Sequence, residues 1–338
     1  ERDKNIELLL SHHDINQPYD STFAYLRYVA ADLLAHDRYG ELLDTVIQKF
    51  KQLEQEYDFV LCIGSDLEGA GSLFEFDVNA DIAKNLGTPV LLVGTGADQP
   101  ATAAINTVSL AMDLYIDHGC QILGIIVNRA PRDKVALLQS TLEAEVGEKS
   151  PFISVIPESK KLSSPTVRDV AEYMGAEVLY GENLQDRLVY QYLVIAMQLP
   201  NFLPQLTENA LLITPGDRCD VVLSALQAHR SKNYPQIAGL LLTSKQRPPD
   251  SVRKLLDGLD NLAPILAVTS DTYDTAKRID GVRSYITGKN QTKGEFSLKL
   301  FEEYVDTDAL EAKITTVLPR GMTPKMVIYH LEQRARAD

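Results

Sequence analysis

The chain has 338 residues, a length that favours two or three domains. Its net charge of −14 at pH 7 argues against nucleic acids and anionic membrane surfaces as partners, because both attract basic proteins. The N-terminal residues have no signal-peptide pattern, and no apolar run reaches the length of about 18 residues needed to span a bilayer. We therefore expect a cytoplasmic protein that binds neither nucleic acid nor membrane.

Three cysteines stand apart from one another, at Cys62, Cys120 and Cys219. They form neither a CxxC pair nor a cluster with histidines, so the pattern predicts no disulfide framework and no zinc site. We expect buried, reduced thiols and no bound metal.

The first third of the chain predicts a strand, helix, strand unit that follows three helices. The helices are predicted over residues 1–10, 23–34 and 39–57. Residues 59–63 and 90–93 are continuous apolar runs, which are typical of strands covered on both faces of a parallel sheet. A Gly-rich loop over 65–71 and a helix over 77–86 connect them. This is the crossover unit of a doubly wound α/β fold, whose ligands bind at the carboxyl ends of the strands.

The loop after the first predicted strand carries an acidic, glycine-rich tetrapeptide made of Glu68, Gly69, Ala70 and Gly71. With Asn79-Ala80-Asp81-Ile82-Ala83 and a following Gly-Thr-Pro-Val strand, it resembles the dethiobiotin synthetase-like branch of P-loop proteins. The resemblance implies that Glu68 lies beside a Mg-nucleotide and that Asn128, at a later strand end, contacts a base. The alternatives are that Glu68 caps its own turn and that Asn128 satisfies the local backbone.

The phosphate-binding pattern G-x-x-x-x-G-K-[ST] is not found in the sequence. The nearest approach, Thr287-Gly288-Lys289-Asn290, has the wrong last residue and no glycine five positions before Gly288. We therefore expect a first domain that lacks its first strand and P-loop, with a vestigial nucleotide site at most.

The alternation of strands and helices continues to about residue 203. Strands are predicted over 121–127, 152–156 and 176–179, and helices over 101–118, 132–146, 166–174 and 183–206. Ser163 or Ser164 is the predicted N-cap of the 166–174 helix, and Gly175 its end. Pro200 and Pro204 break the last helix and predict a domain boundary near 203.

A second alternating series follows this boundary. Strands are predicted over 209–214, 236–243 and 264–269, helices over 217–228, 249–259 and 272–278, and a helical tail to about 317. The first strand of the series ends in Thr214, Gly216, Asp217 and Arg218, and the other two end in Thr243-Ser244 and Thr269–Thr272. These hydroxyl residues either cap the following helices or line a cleft for a small anionic metabolite, with Arg218 as its charge partner. Lys245-Gln246-Arg247 is predicted to be a solvated loop.

Three features in this order resemble the region that precedes the catalytic domain in long-form bacterial phosphate acetyltransferases. The synthetase-like domain is followed by Asn201-Phe202-Leu203 and Leu211–Arg218, which resemble the opening of a DRTGG domain. Met322-Thr323-Pro324-Lys325-Met326 resembles the linker before the acetyltransferase domain. The signature itself differs, since Asp217-Arg218-Cys219-Asp220 keeps the Asp-Arg pair and lacks both glycines.

The resemblance implies two doubly wound, mainly parallel α/β domains in tandem. The expected divisions are 1–203, 204–317 and a linker helix over 318–338 that leads to a catalytic domain. In that family the catalytic domain binds coenzyme A and moves an acetyl group between coenzyme A and phosphate. The resemblance therefore implies a non-catalytic regulatory and oligomerisation region with no cofactor of its own. Its expected partners are its own acetyltransferase domain, further copies of itself and a small-metabolite effector.

Two other functions remain open from the sequence. One is a nucleotide-dependent enzyme of the dethiobiotin synthetase or cobyrinic acid synthase type, which the first domain resembles. The other is an interaction scaffold whose clefts bind nothing.

Overall fold

The computed structural model describes residues 3–12, 15–36, 38–65, 72–97, 99–146, 152–284, 286, 291–316 and 326–327. The chain divides into two compact units, which are described separately. The first comprises residues 1–158 with 295–338, and the second comprises residues 159–294.

The first unit opens with helices and then alternates helices and strands. Its elements up to residue 158 are α1 Lys4–His12, α2 Arg27–Ala35, α3 Tyr39–Glu56, α4 Ser72–Leu86, β1 Val90–Thr95, α5 Ala101–Asp117, β2 Ile122–Ala130, α6 Val135–Val146 and β3 Ile153–Pro157. The strands form a parallel sheet in the order β1-β2-β3. Because β2 is the middle strand, its first six residues are all buried, as a continuous apolar run predicts.

Residues 59–63 were predicted to be a buried strand, and this prediction is wrong. The segment belongs to none of the described strands, and Phe59, Leu61 and Ile63 are 63–67% exposed. Val60 packs against the apolar cluster around Ile47. Within the described residues β1 is an edge strand, so residues 59–63 do not pair with it. Without a strand partner, this apolar run lies open to solvent. Cys62 is also exposed here, contrary to the expectation of a buried thiol, whereas Cys120 is buried and Cys219 is half-buried.

The second unit contains a larger sheet with helices on both faces. Its elements are α7 Lys160–Ser163, α8 Val167–Met174, β4 Glu177–Tyr180, β5 Gln191–Val194, α9 Leu199–Phe202, β6 Ala210–Pro215, α10 Cys219–Arg230, β7 Gly239–Thr243, α11 Asp250–Asp257, β8 Ile265–Ala267 and α12 Thr272–Ile279. The strand order is β4-β8-β7-β6-β5, with β4 antiparallel to β8 and the other neighbours parallel.

Successive residues of the central strands enter two different cores. Leu212 and Leu240 belong to the cluster that includes α10 and α11, whereas Leu211 and Leu241 belong to the cluster that includes α8 and α12. All four side chains are fully buried. This alternation confirms a doubly wound sheet covered on both faces.

The helix predicted over 183–206 is wrong. The structure has a 3-10 turn at Glu182–Leu184, the strand β5, the short helix α9 and a second 3-10 turn at Leu203–Gln205. Residues Gln191–Val194 pair in parallel with Ala210–Ile213, so a tertiary contact decides the conformation of this apolar stretch. Both β4 and β5 belong to the second sheet, and the compact unit begins at Ser159, well before the boundary expected near 203.

Helix α8 is capped at both ends. Thr166, and not Ser163 or Ser164, is the N-cap: its side chain accepts a hydrogen bond from the backbone of Asp169, whose carboxylate accepts from the backbone N–H of Thr166. At the other end Gly175 adopts a left-handed φ of 61°, as predicted for the end of this helix.

Two further helices, α13 Gln291–Tyr304 and α14 Thr307–Thr316, form the predicted helical tail. Of the helix predicted in the linker, only residues 326–327 are described, and they are helical. None of the helices in the described ranges is long and apolar enough to cross a bilayer.

Candidate functional site

The first candidate site lies around the segment predicted to contact nucleotide. Glu68, Gly69, Ala70 and Gly71 all lie outside the described residues. The residues on either side of the segment are described. The backbone N–H of Ser65 donates to Oδ1 of Asn79 at 2.9 Å, and Nδ2 of Asn79 donates to the carbonyl of Ser65 at 2.9 Å. Asn79 thus fixes the segment's beginning, and its end is the start of α4 at Ser72.

The carboxyl ends of β1 and β2 lie side by side in the first sheet. Gly96 N–H donates to the carbonyl of Asn128 at 2.7 Å, and a Cβ on Gly96 would lie only 2.9 Å from the Cα of Ala130. The Oδ1 of Asn128 accepts from the backbone N–H of Arg129 at 2.8 Å, and Arg129 has a left-handed φ of 59°. In this structure the amide oxygen of Asn128 therefore satisfies the local backbone, which was the alternative to contacting a base.

The Oγ1 of Thr95, the last residue of β1, accepts from the backbone N–H of Ala97 at 3.2 Å, before α5 begins. Asp98 lies outside the described residues.

The second candidate site is the carboxyl edge of the larger sheet, where β6, β7 and β8 end side by side. A Cβ on Gly216 would lie 1.9 Å from the carbonyl oxygen of Gln246, so the turn after β7 packs directly on the backbone after β6. Only glycine fits this contact. The N–H of Ser244 donates to the carbonyl of Ser270 at 2.7 Å, and the hydroxyl oxygens of Thr243 and Thr272 lie 2.7 Å apart. The three strand ends are thus bound to one another.

The turn after β7 contains backbone strain. Ser244 and Lys245 have φ values of 67° and 55°, so two consecutive residues with side chains adopt the left-handed conformation. This region is unfavourable for residues other than glycine, asparagine and aspartate, and such strain is concentrated at ligand sites. Lys245, predicted only as part of a solvated loop, is exposed at this edge.

Thr214 is the last residue but one of β6 and lies opposite Leu242 of β7. Its side chain is fully buried, yet its Oγ1 has no hydrogen-bond partner among the described residues. A buried hydroxyl without a partner destabilises the folded chain by about 1–3 kcal/mol, and such a group in a native protein calls for an explanation. Thr243, one register position further along the next strand, has a partner in Thr272.

Arg218 is the main cation of this edge. Its Nε and Nη2 bind Asp220 in a bidentate pair at 2.9 and 2.8 Å, and Nη2 also donates to the carbonyl of Met197 at 3.1 Å. The hydrogen bond with Asp220 raises the pKa of Arg218, and the same bond lowers the pKa of Asp220. Asp217 is exposed, and its carbonyl accepts from the N–H of Cys219 at 2.8 Å.

The predicted capping role of the hydroxyl residues holds for neither Thr214 nor Thr243. At the end of β8 the cap of α12 is the carboxylate of Asp271, which accepts from the N–H of Asp274 at 2.8 Å. The hydroxyls of Ser270 and Thr275 pair with each other at 2.8 Å.

Comparison with protein families gives two matches that follow the chain in order. The model described as an AAA domain matches residues 1–179, more than half of the 338 residues. The chain belongs to the AAA domain family. The model described as a DRTGG domain matches residues 169–282, which lie within the second compact unit.

Two curated relatives match the AAA and DRTGG regions together. A phosphate acetyltransferase from Nitratidesulfovibrio vulgaris is 37% identical over 342 residues, covering 100% of this chain and 48% of the relative. A phosphate acetyltransferase from Synechocystis sp. is 35% identical over 336 residues, covering 99% of this chain and 48% of the relative. The resemblance inferred from the sequence is therefore confirmed. This chain spans about half the length of the curated relatives that it matches.

One solved structure matches 58% of this chain and 74% of its own chain. It contains the CBS and DRTGG domains of the regulatory region of Clostridium perfringens pyrophosphatase, in complex with the activator diadenosine tetraphosphate. The identity is 13% and the TM-score is 0.30. A likeness this low supports no inference about fold or ligand.

Within the DRTGG domain, the structure brings Gly216 against the turn after β7 at Gln246, as the sheet topology predicts. The printed contacts of Arg218 are instead with Asp220 and with the carbonyl of Met197, which follows β5. Sequence patterns missed the left-handed turn at Ser244-Lys245, because neither residue type favours that conformation. They also missed the orphaned hydroxyl of Thr214, since hydrogen-bond satisfaction depends on packing that no local pattern encodes.

Proposed function

We propose that this chain is the regulatory region of a phosphate acetyltransferase and that its DRTGG domain binds a small anionic metabolite. The observation that carries the proposal is the match along 99–100% of this chain to two phosphate acetyltransferases that are about twice as long. In this proposal the acetyl transfer between coenzyme A and phosphate belongs to the other half of the protein. The acetyltransferase domain is then the partner of this region, and coenzyme A binds there.

The proposed metabolite site is the carboxyl edge of β6, β7 and β8. Arg218 and Lys245 supply positive charge, and the N-terminus of α10 adds the positive end of a helix dipole. The strained turn at Ser244-Lys245 and the unpaired hydroxyl of Thr214 are the features that a ligand would relieve. Together these groups favour a carboxylate or phosphate over a neutral ligand.

The pair between Arg218 and Asp220 suggests how binding is transmitted. An anion at this edge competes with Asp220 for the guanidinium group of Arg218. Asp220 lies in the first turn of α10, so its release changes the charge balance of that helix's N-terminus. A ligand shifts the protein between two states only by its difference in affinity for them, and this competition provides such a difference.

The experiment compares the protein that contains both halves with a version from which residues 1–338 are removed. Acetyl transfer from acetyl phosphate to coenzyme A is measured with and without ATP, NADH and pyruvate, which all carry anionic groups. We expect the shortened protein to keep acetyl transfer and to lose its response to one or more of these metabolites. Loss of acetyl transfer itself, or an unchanged response, contradicts the proposal.

A matched pair of variants localises the site. Arg218→Met removes the cation at the strand edge, and Arg168→Met removes a comparable ion pair, with Asp186 at 3.2 Å, elsewhere in the same unit. Calorimetry of the 338-residue chain against ATP, NADH, pyruvate and coenzyme A should show binding that Arg218→Met weakens by at least about tenfold, as expected for one lost charge-assisted pair. Arg168→Met should bind as the parent chain does. Equal losses in both variants contradict this site.

A second candidate function is nucleotide-dependent catalysis, which the AAA domain match over residues 1–179 favours. Hydrolysis of ATP by this chain that disappears in Glu68→Gln would support it over the regulatory role. Calorimetry that shows no heat with any of the four compounds would instead support a scaffold whose clefts bind nothing.

A further inference from the structure

The helices α9, α10 and α11 of the second unit form an open apolar groove of about 510 Å³. Leu223, Leu226 and Leu259 line it and belong to, or pack on, the core between these helices and the sheet. Leu199 and Leu255 also line it and remain 39% and 52% exposed. A concave surface of this size with exposed leucines is typical of a site that binds an apolar group.

Arg230 lines the groove in the last turn of α10. Leu223, Gln227 and Arg230 recur at intervals of four and three residues, so one face of the helix presents an apolar, an amide and a cationic side chain in turn. None of the ion pairs within the described ranges includes Arg230. Its guanidinium group is therefore available to an anion that enters the groove.

The remaining polar groups of the lining already have partners. The carboxylate of Asp220 is held by Nε and Nη2 of Arg218 at 2.9 and 2.8 Å. Asp220 also lies about 15 Å from Arg230 along the helix axis, farther than the Debye length of about 8 Å at physiological ionic strength. The hydroxyl of Ser224 donates to carbonyls of its own helix. The groove therefore offers one cation and one amide beside a mainly apolar wall.

We propose that this groove binds a small amphiphilic monocarboxylate, that is, a carboxylate with an unbranched apolar tail. Arg230 and Gln227 bind the carboxylate, and the leucines cover the tail. A polyphosphate would need more donors than these two side chains supply. Because the whole chain has a net charge of −14, the attraction for an anion has to come from this local cation. The proposal does not depend on the metabolite site, since neither Arg218 nor Lys245 lines the groove.

Calorimetry of the 338-residue chain with a series of unbranched carboxylates tests the class of ligand. Full burial of one CH₂ group strengthens binding about fourfold, and the groove is open, so affinity should rise about twofold to fourfold for each CH₂ added between butanoate and octanoate. Octan-1-ol, with a similar tail and no charge, should bind more weakly than octanoate. Equal affinities along the series, or octan-1-ol that binds as tightly as octanoate, contradict the proposal. No saturable binding of octanoate would leave the groove to a protein partner and overturn the proposal.

Arg230→Met removes the cation and keeps an apolar side chain. It should weaken octanoate binding about fivefold, as expected for one exposed charge pair, and leave the binding of octan-1-ol unchanged. Lys232→Met is the matched control, because Lys232 is exposed, lies just after α10 and does not line the groove. This control should bind octanoate as the parent chain does. Equal losses in both variants would reflect net charge alone and overturn the proposal.

Leu255→Asp tests the apolar wall, and Leu61→Asp is its matched control. The control makes the same change in the exposed apolar run of the first unit, where Leu61 is 66% exposed. Both positions are exposed, so neither variant should unfold, and circular dichroism checks this. We expect Leu255→Asp to weaken octanoate binding by at least about tenfold, because it places a carboxylate against the tail, and Leu61→Asp to leave it unchanged. Binding that is lost in Leu61→Asp and kept in Leu255→Asp would place the ligand in the first unit and overturn the proposal.

Discussion

The side-chain amide of Asn79 pairs with the backbone of Ser65 as a neighbouring strand would, donating to its carbonyl and accepting from its N–H, both at 2.9 Å. Asn79 lies on α4, and Ser65 is the last described residue before the segment with Glu68. One side chain therefore holds the entry to the predicted nucleotide segment. Within the Asn79–Ala83 stretch that resembles the synthetases, Asn79 therefore has a structural role, because it binds the backbone of Ser65.

Asn79→Ala should release Ser65. Two hydrogen bonds contribute about 1 kcal/mol each, so the free energy of unfolding of the first unit should fall by about 1–2 kcal/mol. Urea unfolding followed by circular dichroism measures it, since the chain has no tryptophan to report fluorescence. Hydrogen exchange of the Ser65 amide should accelerate as well. Asn85→Ala, which removes a bond to the carbonyl of Asp81 within the same helix, should leave that amide's exchange unchanged.

The parallel strands were predictable because continuous apolar runs over residues 121–127 and 236–243 match strands that are buried on both faces. The same argument failed at 59–63, where the run is present and no described strand pairs with it. It failed differently at 183–206, whose apolar residues fit a helix as well as an edge strand. Pairing of β5 with β6 decides between them, and that contact is not local in sequence.

The candidate site was predictable in position and not in detail. Topology places the ends of β6, β7 and β8 together, so the hydroxyl residues and Arg218 were found from the sequence. Two details depend on atomic packing and could not be read from the sequence. They are the ion pair between Arg218 and Asp220 and the lack of a hydrogen-bond partner for the Thr214 hydroxyl among the described residues.

Thr214→Val and Thr243→Val form a pair with opposite expected signs. Both threonines are fully buried at neighbouring strand ends, but only Thr243 has a partner, in Thr272. Removing the unpaired hydroxyl of Thr214 should raise the free energy of unfolding by about 1 kcal/mol, and removing that of Thr243 should lower it by a similar amount. Urea unfolding of the two variants measures both. A loss of stability in Thr214→Val would mean that its hydroxyl already has a partner.

Thr214→Val also reports on the proposed site. If the hydroxyl is held for a ligand, the variant should be more stable and bind the metabolite more weakly, by about fivefold to tenfold for one neutral hydrogen bond. Calorimetry with whichever of the four compounds binds the parent chain gives the affinity. Unchanged affinity would remove Thr214 from the site and leave Arg218 to be judged separately.

Gly216→Ala should separate the turn after β7 from the end of β6. The added Cβ would lie 1.9 Å from the carbonyl oxygen of Gln246, a backbone atom that moves only with the whole turn. Overpacking of this kind costs about 1–3 kcal/mol. Gly258→Ala in the same unit is the control, because its Cβ meets nothing closer than 3.7 Å and should change stability by less than about 0.5 kcal/mol. Equal effects would show that helix or turn propensity, and not the contact with Gln246, governs Gly216.

His229 should make the second unit sensitive to mild acid. The ring is buried and its Nδ1 accepts from the backbone N–H of Ile237 at 3.1 Å, which requires an unprotonated nitrogen. Burial, followed by the charge of Arg187, lowers its pKa below the ordinary value of 6.5. Between the lowered pKa and 6.5 the unfolded chain binds a proton that the folded chain does not. Stability from this residue is therefore complete above pH 6.5 and decreases as the pH falls, by up to about 1.4 kcal/mol per pH unit.

His229→Asn isolates this effect, because the amide oxygen of asparagine can replace Nδ1 as the acceptor and does not titrate. The free energy of unfolding is measured by urea at a series of pH values from 8 down to about 4.5, a range that spans the ordinary histidine pKa. The difference between parent and variant should be constant above pH 7 and shift in favour of the variant below about 6.5. A difference that stays constant throughout would mean that His229 binds its proton equally in the folded and unfolded chains, which a buried acceptor for the Ile237 N–H does not permit.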